Sequence, residues 1–328
     1  MKPLRWGVLG VADHFVKKVY APLAASPLVE LSAIASRSAE RARAAAERLG
    51  IAKSYGSYEE LVADPSLEAV YIPLANHLHA EWIRRAADAG KHVLCEKPLA
   101  MNAGEAQDCV DHARRRGVLL MEAFMYRFHP QWRRLFELVR SGELGAVRAV
   151  HTMFAYHNTD PANIRNNLAA GGGALMDIGC YAISVPRWLF QAEPERVVAL
   201  VSRDPAFGTD ILSSAILDFG QGRSLFTVAT QVYAAQRVEV YGASGRASLR
   251  IPFNAPPDVR ARLTVTTSLG EREPELALAD QYGLEFEEFC RAVREGRPAP
   301  TPPEDAVANQ KVLDALLASE RSGGWQRP

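Results

Sequence analysis

The first third of the chain alternates short apolar runs with helical patterns, and few folds accommodate that rhythm. The runs are Leu4 to Leu9, Val29 to Ala35, Glu68 to Pro73, Lys91 to Cys95 and Val118 to Glu122. Helical stretches of about 10 to 15 residues separate them, which is the spacing of parallel βαβ units. In one stretch Ala106, Cys109, Val110 and Ala113 fall at i, i+3, i+4 and i+7, a single apolar face. Ser57 and Glu60 form a capping-box pattern, with Pro65 as the stop. The expected architecture is α/β, a doubly wound parallel sheet of Rossmann type.

Beyond about residue 125 the pattern changes. A helix is expected from Gln131 to Arg140 and a strand from Val147 to Tyr156, and Gly171-Gly-Gly173 opens a helix running to about Phe190. Strands follow at Arg196–Val201, Ile211–Phe219, Ser224–Gln231, Arg237–Tyr241 and Ala247–Ile251. Asp218–Arg223 and Gly242–Arg246 read as hairpin turns. Short turns between successive strands imply a large, mostly antiparallel open sheet in an α+β domain. One face of such a sheet needs a cover, and a second subunit is a common one. Late helices are expected at Tyr282–Glu295 and Glu304–Arg321, flanking the proline-rich Arg297–Pro303. The division expected is a dinucleotide-binding domain over 1–124 and a substrate-binding and dimerisation domain over 125–328, with room for the last helices to pack back on the first.

Composition narrows the function classes. A chain of 328 residues, 48% hydrophobic and 23% charged, has core enough for two domains. Its 38 basic and 38 acidic residues balance, which gives no electrostatic ground for nucleic acid or an anionic membrane as partner. Arg114-Arg-Arg116 reads as the solvated end of a helix, where cations suit the dipole. No uninterrupted apolar run approaches the roughly 20 residues of a spanning helix. Met1 to Trp6 leads straight into a strand, so no secretory leader is expected. Four cysteines without paired spacing (Cys95, Cys109, Cys180, Cys290) fit buried thiols of a reducing compartment, not a disulfide frame or zinc site. The expected location is the cytoplasm.

Gly10-Val-Ala12-Asp-His-Phe15 occupies the place of a dinucleotide fingerprint, after the first strand and at the mouth of the first helix. Only the first glycine is present; Ala12 and Phe15 stand in the other two places. The second strand ends at Ser36-Arg37, a hydroxyl and a cation with no carboxylate for a ribose 2′-hydroxyl. That charge pattern favours NADP over NAD. Pro73-Leu74-Ala-Asn76-His77-Leu-His79 follows the next main strand, and Asn76 fits a helix cap. His77 and His79, two apart, share no helix face, and no metal is expected.

Glu96-Lys97-Pro98 places a lysine where a strand would open into the cleft of the sheet. In Gly171-Gly-Gly-Ala-Leu-Met-Asp177-Ile-Gly-Cys-Tyr181 the carboxylate and phenol are four apart, on one helix face. Ammonium, carboxylate and phenol are the groups that move a proton while a nicotinamide exchanges a hydride. A phenol near pKa 10 needs lowering by about three units, roughly 4 kcal/mol, to serve as a base at neutral pH. A close cation such as Lys97 in a desolvated cleft supplies much of that.

In order and spacing, the Gly10 turn, Pro73 to His79, Glu96-Lys97-Pro98, Arg127 in Met-Tyr-Arg-Phe-His-Pro130 and Gly171 to Tyr181 resemble the glucose–fructose oxidoreductase and inositol dehydrogenase family. The resemblance spans nearly the whole chain. It implies an N-terminal Rossmann domain, a C-terminal domain that dimerises through its sheet, and NAD(P)-dependent chemistry at a carbinol or carbonyl carbon. It makes Lys97 a catalytic and nicotinamide-ribose contact, Tyr181 the acid/base and Asp177 a supporting polar group. Leu74, Asn76, His79 and Glu96 would line the cofactor beside Gly10, Ala12, Ser36 and Arg37. Arg127 and Arg165 would lie near the nicotinamide and substrate, and the Lys97–Pro98 bond would be cis.

Inositol dehydrogenase-like members carry histidine in place of Tyr181. The tyrosine makes the chain similar to the aldose dehydrogenase, glucose–fructose oxidoreductase and dihydrodiol dehydrogenase branch. The implied protein is an NADP-preferring aldose dehydrogenase acting on a sugar or polyol, with NAD as the other cofactor candidate, assembled as a homodimer or homotetramer. Reduction of a keto-sugar and oxidation of a trans-dihydrodiol stay open, as does a non-catalytic dinucleotide-sensing regulator. A sensor has no use for a Lys97 and Tyr181 acid/base pair.

Overall fold

Six parallel strands carry the N-terminal part of the chain, for which a computed structural model describes residues 1–328. They are β1 (Leu4–Leu9), β2 (Val29–Ala35), β3 (Lys53–Tyr55), β4 (Ala69–Ile72), β5 (His92–Glu96) and β6 (Leu120–Ala123), in the order β3-β2-β1-β4-β5-β6. Helices α1 (Tyr20–Ala25), α2 (Ala39–Leu49), α3 (Tyr58–Ala63), α4 (Asn76–Asp88) and α5 (Ala103–Arg116) alternate with them. The inner strands of a parallel sheet are buried on both faces, which is why their sequences are mostly apolar, whereas β3 at the edge is not. Leu4, Trp6, Val8 and Leu9 of β1 are wholly buried. The four apolar residues expected on one face of α5 are its buried residues. Ser57 caps α3 by accepting from Glu60 N at 3.2 Å. Asn76, by contrast, is the first residue of α4, whose cap position is Ala75. The strand order reverses between β1 and β4, so ligands of such a sheet sit outside the carboxyl ends of those strands.

The remaining strands form one eight-stranded sheet. After α6 (Pro130–Arg140) and β7 (Val147–His157), a π-helical turn at Leu175–Gly179 runs into α7 (Cys180–Phe190). Then come β8 (Arg196–Arg203), β9 (Asp210–Asp218), β10 (Arg223–Ala229), β11 (Gln231–Gly242), β12 (Gly245–Leu249), β13 (Leu263–Thr267) and β14 (Gly270–Arg272). Their order is β14-β13-β12-β11-β7-β10-β9-β8, antiparallel except where β10 runs parallel to β7. The strand expected over Ser224–Gln231 stops at Ala229, and Gln231 opens β11. In β10 the alternation is strict at first: Ser224 and Phe226 are buried while Arg223 and Leu225 are exposed. α7 is apolar almost all round and buried on every side but one residue, Trp188. By length and mean hydropathy Leu168–Phe190 would pass as a membrane span, but 89% of that window is buried inside the protein, as befits a core helix.

Two helices close the chain, α8 (Gln281–Glu295) and α9 (Pro303–Ser322). The chain divides into two units, Met1–Met125 with Tyr282–Val307, and Tyr126–Gln281 with Ala308–Pro328. Within the first, Trp6 packs its ring 4.9 Å from Phe286 and 5.2 Å from Phe289 of α8. All four cysteines are buried free thiols.

Candidate active site

In the first unit the expected cofactor residues gather at the carboxyl ends of the strands. Gly10 ends β1 at φ +110°, a conformation L side chains rarely adopt, and a Cβ there would lie 2.9 Å from Leu74 Cδ2. Both facts suit a cradle in which backbone approaches a ligand. The helical run begins at Asp13, just past Ala12, and carries a π-helical turn at Phe15–Val19. Phe15, in the third glycine's place, is buried 6.1 Å from the Tyr71 ring. It fills the interior and does not narrow the turn.

Ser36 is buried and its Oγ accepts from Ser38 N at 3.3 Å, which fixes the start of α2. Arg37 is exposed beside Tyr58, where its charge and hydrogen bond oppose the upward push of burial on the phenol. Arg41, which sequence reasoning missed, stands in the first turn of α2 and donates from Nη2 to Val11 O at 2.8 Å. The available signal was a second arginine at the start of the helix that follows Ser36 and Arg37. Two guanidinium groups and a helix N-terminus at the end of β2, with no carboxylate on Ser36 or Arg37, fit a phosphorylated ribose.

His79 is wholly buried, with Nδ1 2.8 Å from Pro98 O and Nε2 3.0 Å from Leu74 O. Burial pushes its pKa down, and a neutral imidazole donates from one nitrogen only. The ring offers no exposed surface to a ligand. It clips together the segments bearing Leu74 and the cis Lys97–Pro98 bond. Leu74, Asn76, Glu96 and Lys97 are half-buried at the ends of β4 and β5. Burial works against the Glu96 carboxylate, but His14, Lys97 and Tyr71 outweigh it and hold the pKa down at about 2. Tyr71 donates to Glu96 Oε1 at 2.5 Å.

In the second unit the glycine triplet lets protein backbone approach protein. Gly172 N donates to Asn167 O and Gly173 N to Arg165 O, both at 2.9 Å. A Cβ at Gly172 would overlap the Arg165 carbonyl. Gly173, at φ +115°, lies against Asp210, whose buried Oδ2 accepts from Leu175 N at 2.7 Å and Ser213 Oγ at 2.9 Å. An acid from β9 thus caps the helix that carries Asp177 and Tyr181, where negative charge suits the dipole.

Asp177 Oδ2 accepts from both Tyr156 OH at 2.6 Å and Arg165 Nε at 2.9 Å. The carboxylate raises the Arg165 pKa, and burial together with the same carboxylate keeps Tyr156 protonated. Tyr181 is 4% exposed, its ring 5.1 Å from Phe253, 5.7 Å from Phe154 and 5.8 Å from Tyr126. Arg165 is one of the charges that act on it. Arg127 donates from Nη2 to Ser184 Oγ at 2.6 Å and lies 5.6 Å over Trp188. Tyr156 and Asp210 carried no sequence signal, because each meets the helix only through the sheet's register.

Residues 4–124 match the model of the GFO/IDH/MocA oxidoreductase family with its NAD-binding Rossmann fold, and residues 132–248 match a C-terminal domain of the same family. An uncharacterized oxidoreductase of Rhizobium meliloti is 46% identical over 99% of each chain. The D-xylose 1-dehydrogenase (NADP(+)) 2 of Haloferax volcanii is 42% identical over 98% of each. Among solved structures, the 3-ketoreductase KijD10 of Actinomadura kijaniata, in complex with NADP and TDP-benzene, superposes with a TM-score of 0.91. It is 32% identical and the match covers 97% of this chain and 98% of that one.

Proposed function

The chain belongs to the GFO/IDH/MocA oxidoreductase family and is an NAD(P)-dependent oxidoreductase, and on that footing we propose that it is an NADP-preferring aldose dehydrogenase. NADP would be held by the Gly10–Ala12 turn, by Ser36, Arg37 and Arg41 at the 2′-phosphate, and by Leu74, Asn76, Glu96 and Lys97 toward the nicotinamide. When bound, the dinucleotide supplies the hydride acceptor. Lys97 holds the substrate oxygen as its charge develops, and Tyr181 takes the hydroxyl proton. General-base transfer of that kind contributes about 10²–10⁴-fold. With Oδ2 occupied by Tyr156 and Arg165, Asp177 orients the Arg165 guanidinium, which is 38% exposed and meets a further substrate hydroxyl. Arg127, committed to Ser184 and Trp188, shapes the wall beside Tyr181.

The reading rests on one observation above the others: Arg165, from the preceding loop, forms one electrostatic group with Asp177 and Tyr181 of the helix that Asp210 caps. The test is nicotinamide absorbance with NADP and NAD against aldoses, ketoses and cyclic diols. Turnover of an aldose with NADP, lost at least about 100-fold in Tyr181→Phe, is the expected result. Tight dinucleotide binding with silence across the panel would refute it and leave a sensor. The likeness to a 3-ketoreductase favours keto-sugar reduction as the second reading, and a ketose reduced faster than any aldose is oxidised would select it. Turnover confined to cyclic diols would instead select trans-dihydrodiol oxidation.

The proposal includes assembly as a homodimer or homotetramer. The eight-stranded sheet leaves Leu200 and Tyr233 78% and 90% exposed, and a groove of about 650 Å³ on it is lined by Leu200, Ile216, Leu225 and Arg237 among others. Apolar surface of that kind marks an interaction site. Sedimentation at twice the chain mass or more is expected. Cytoplasmic residence completes the reading, in keeping with four reduced thiols.

A further inference from the structure

Glu285 and His14 have no part in the mechanism above, yet both act on Glu96. Glu285, on α8, is 1% exposed and its Oε1 has no hydrogen-bond partner. Burial, reinforced by the nearby Glu96, pushes its carboxyl well above the usual range. Two carboxylates so placed do not both ionise, and the one supplied with donors keeps the charge. Glu96 is that one. It accepts from Tyr71 OH at 2.5 Å, and His14 Nε2 lies 3.6 Å from the same oxygen. His14 itself sits edge-on to Tyr282 of α8, ring centres 5.4 Å apart. It follows Gly10 by four residues, so one side chain joins the dinucleotide turn to the strand end that bears Lys97.

We infer that His14 is a positioning residue for Lys97: rooted in the dinucleotide turn, it holds the Glu96 carboxylate, and Glu96 holds the neighbouring ammonium in place. This rests on the reading of Lys97 as the group that holds the reacting oxygen. The charged and titratable groups around Glu96 are His14 from the first helix, Tyr71 from β4, His79 from α4, Glu285 from α8, and Cys95 and Lys97 on either side of it. Of these only His14, Tyr71 and Lys97 favour its ionised form, and His14 contributes most among them. Without His14, Glu96 protonates at a higher pH, and the ammonium then loses its counter-charge in a poorly solvated place.

The experiment compares wild type, His14→Gln, which keeps a donor at the reach of Nε2, and His14→Phe, which has none. In protein labelled with ¹³C-glutamate, the Glu96 carboxyl resonance (assigned with Glu96→Gln) is followed between pH 4 and 7. It is expected to stay flat in wild type and His14→Gln and to titrate in His14→Phe, a midpoint shift of at least about one unit. In parallel, the ratio of kcat at pH 5 to kcat at pH 8 should fall at least threefold further in His14→Phe than in the other two. Adding Glu285→Gln, which replaces a carboxyl that is already neutral, should leave that fall unchanged. A flat resonance and an unchanged ratio in His14→Phe, whatever happens to NADP affinity, would overturn the inference. The resonance is read without turnover, so an inactive wild type would count against the dehydrogenase reading alone.

Discussion

Adding one methyl group at Gly173 tests whether the helix bearing Asp177 and Tyr181 is set by its seat on Asp210. At φ +115° an L residue carries about 1–3 kcal/mol of backbone strain. The new Cβ would also fall inside the envelope of Asp210 Oδ1 and 3.1 Å from its Cγ. Asp210 cannot simply swing away, because Leu175 N and Ser213 Oγ pin its other oxygen. Overpacking of that kind costs about 1–3 kcal/mol more. Gly173→Ala is therefore expected to destabilise by about 2–6 kcal/mol, read as a lower urea midpoint at constant slope. The steric part vanishes in Asp210→Ser, which lacks the offending oxygen, whereas the backbone part persists. The double mutant should accordingly be more stable than the sum of the singles by about 1–3 kcal/mol. The first helical bond, Asp177 N to Gly173 O at 3.0 Å, starts at the strained residue. A displacement there should lower kcat at least tenfold. NADP affinity should hold, since every proposed dinucleotide contact is in the other unit. An unmoved midpoint, or singles that add within about 0.5 kcal/mol, would refute the reasoning.

Arg41→Ala and Arg37→Ala should each weaken NADP at least tenfold while leaving NAD nearly unchanged, measured as the ratio of the two dissociation constants. Equal losses for both dinucleotides would remove the 2′-phosphate assignment. Glu68 is held down at about 2, first by its hydrogen bond from Arg294 and then by Arg5, against the pull of burial. A depressed carboxyl stabilises the fold above its unfolded pKa, and that contribution disappears as pH falls from about 4.5 toward 2. The full linkage is about 3 kcal/mol, which solvent screening of a partly exposed group reduces, so Glu68→Gln should cost about 2 kcal/mol at pH 7. The gap to wild type should narrow below pH 4.5 and close only as the pH approaches about 2 in urea titrations, and a gap independent of pH would contradict the assignment.

Which parts were legible in the sequence follows from how each part is held. β1 is buried at all but Arg5, and β2 at Val29 and from Ala33 to Ala35, so their apolar residues mark both ends of each strand. β3 has no buried residue and β14 is exposed throughout, so neither had an apolar pattern to announce it. Lys97, Asp177 and Tyr181 stood out because their motifs are local. Asp177's real partners did not: Tyr156 lies on β7 and Arg165 on the loop that Gly172 and Gly173 receive. Those contacts depend on register across a sheet, which a linear pattern does not encode. That the triplet serves protein backbone and not a ligand is equally hidden in the sequence, since an absent Cβ looks the same whichever neighbour uses the space.

The π-helical turn at Leu175–Gly179 has a consequence for how this helix can change. A wide turn is an α-helix holding one surplus residue. Removing a residue between Asp177 and Tyr181 would return the backbone to ordinary winding and shorten their spacing from four residues to three, leaving the carboxylate about sixty degrees out of line with the phenol. The chain before the bulge and the chain after it are therefore locked in phase by an insertion. Lineages that lost it would keep a sound helix and surrender the alignment of its two polar side chains.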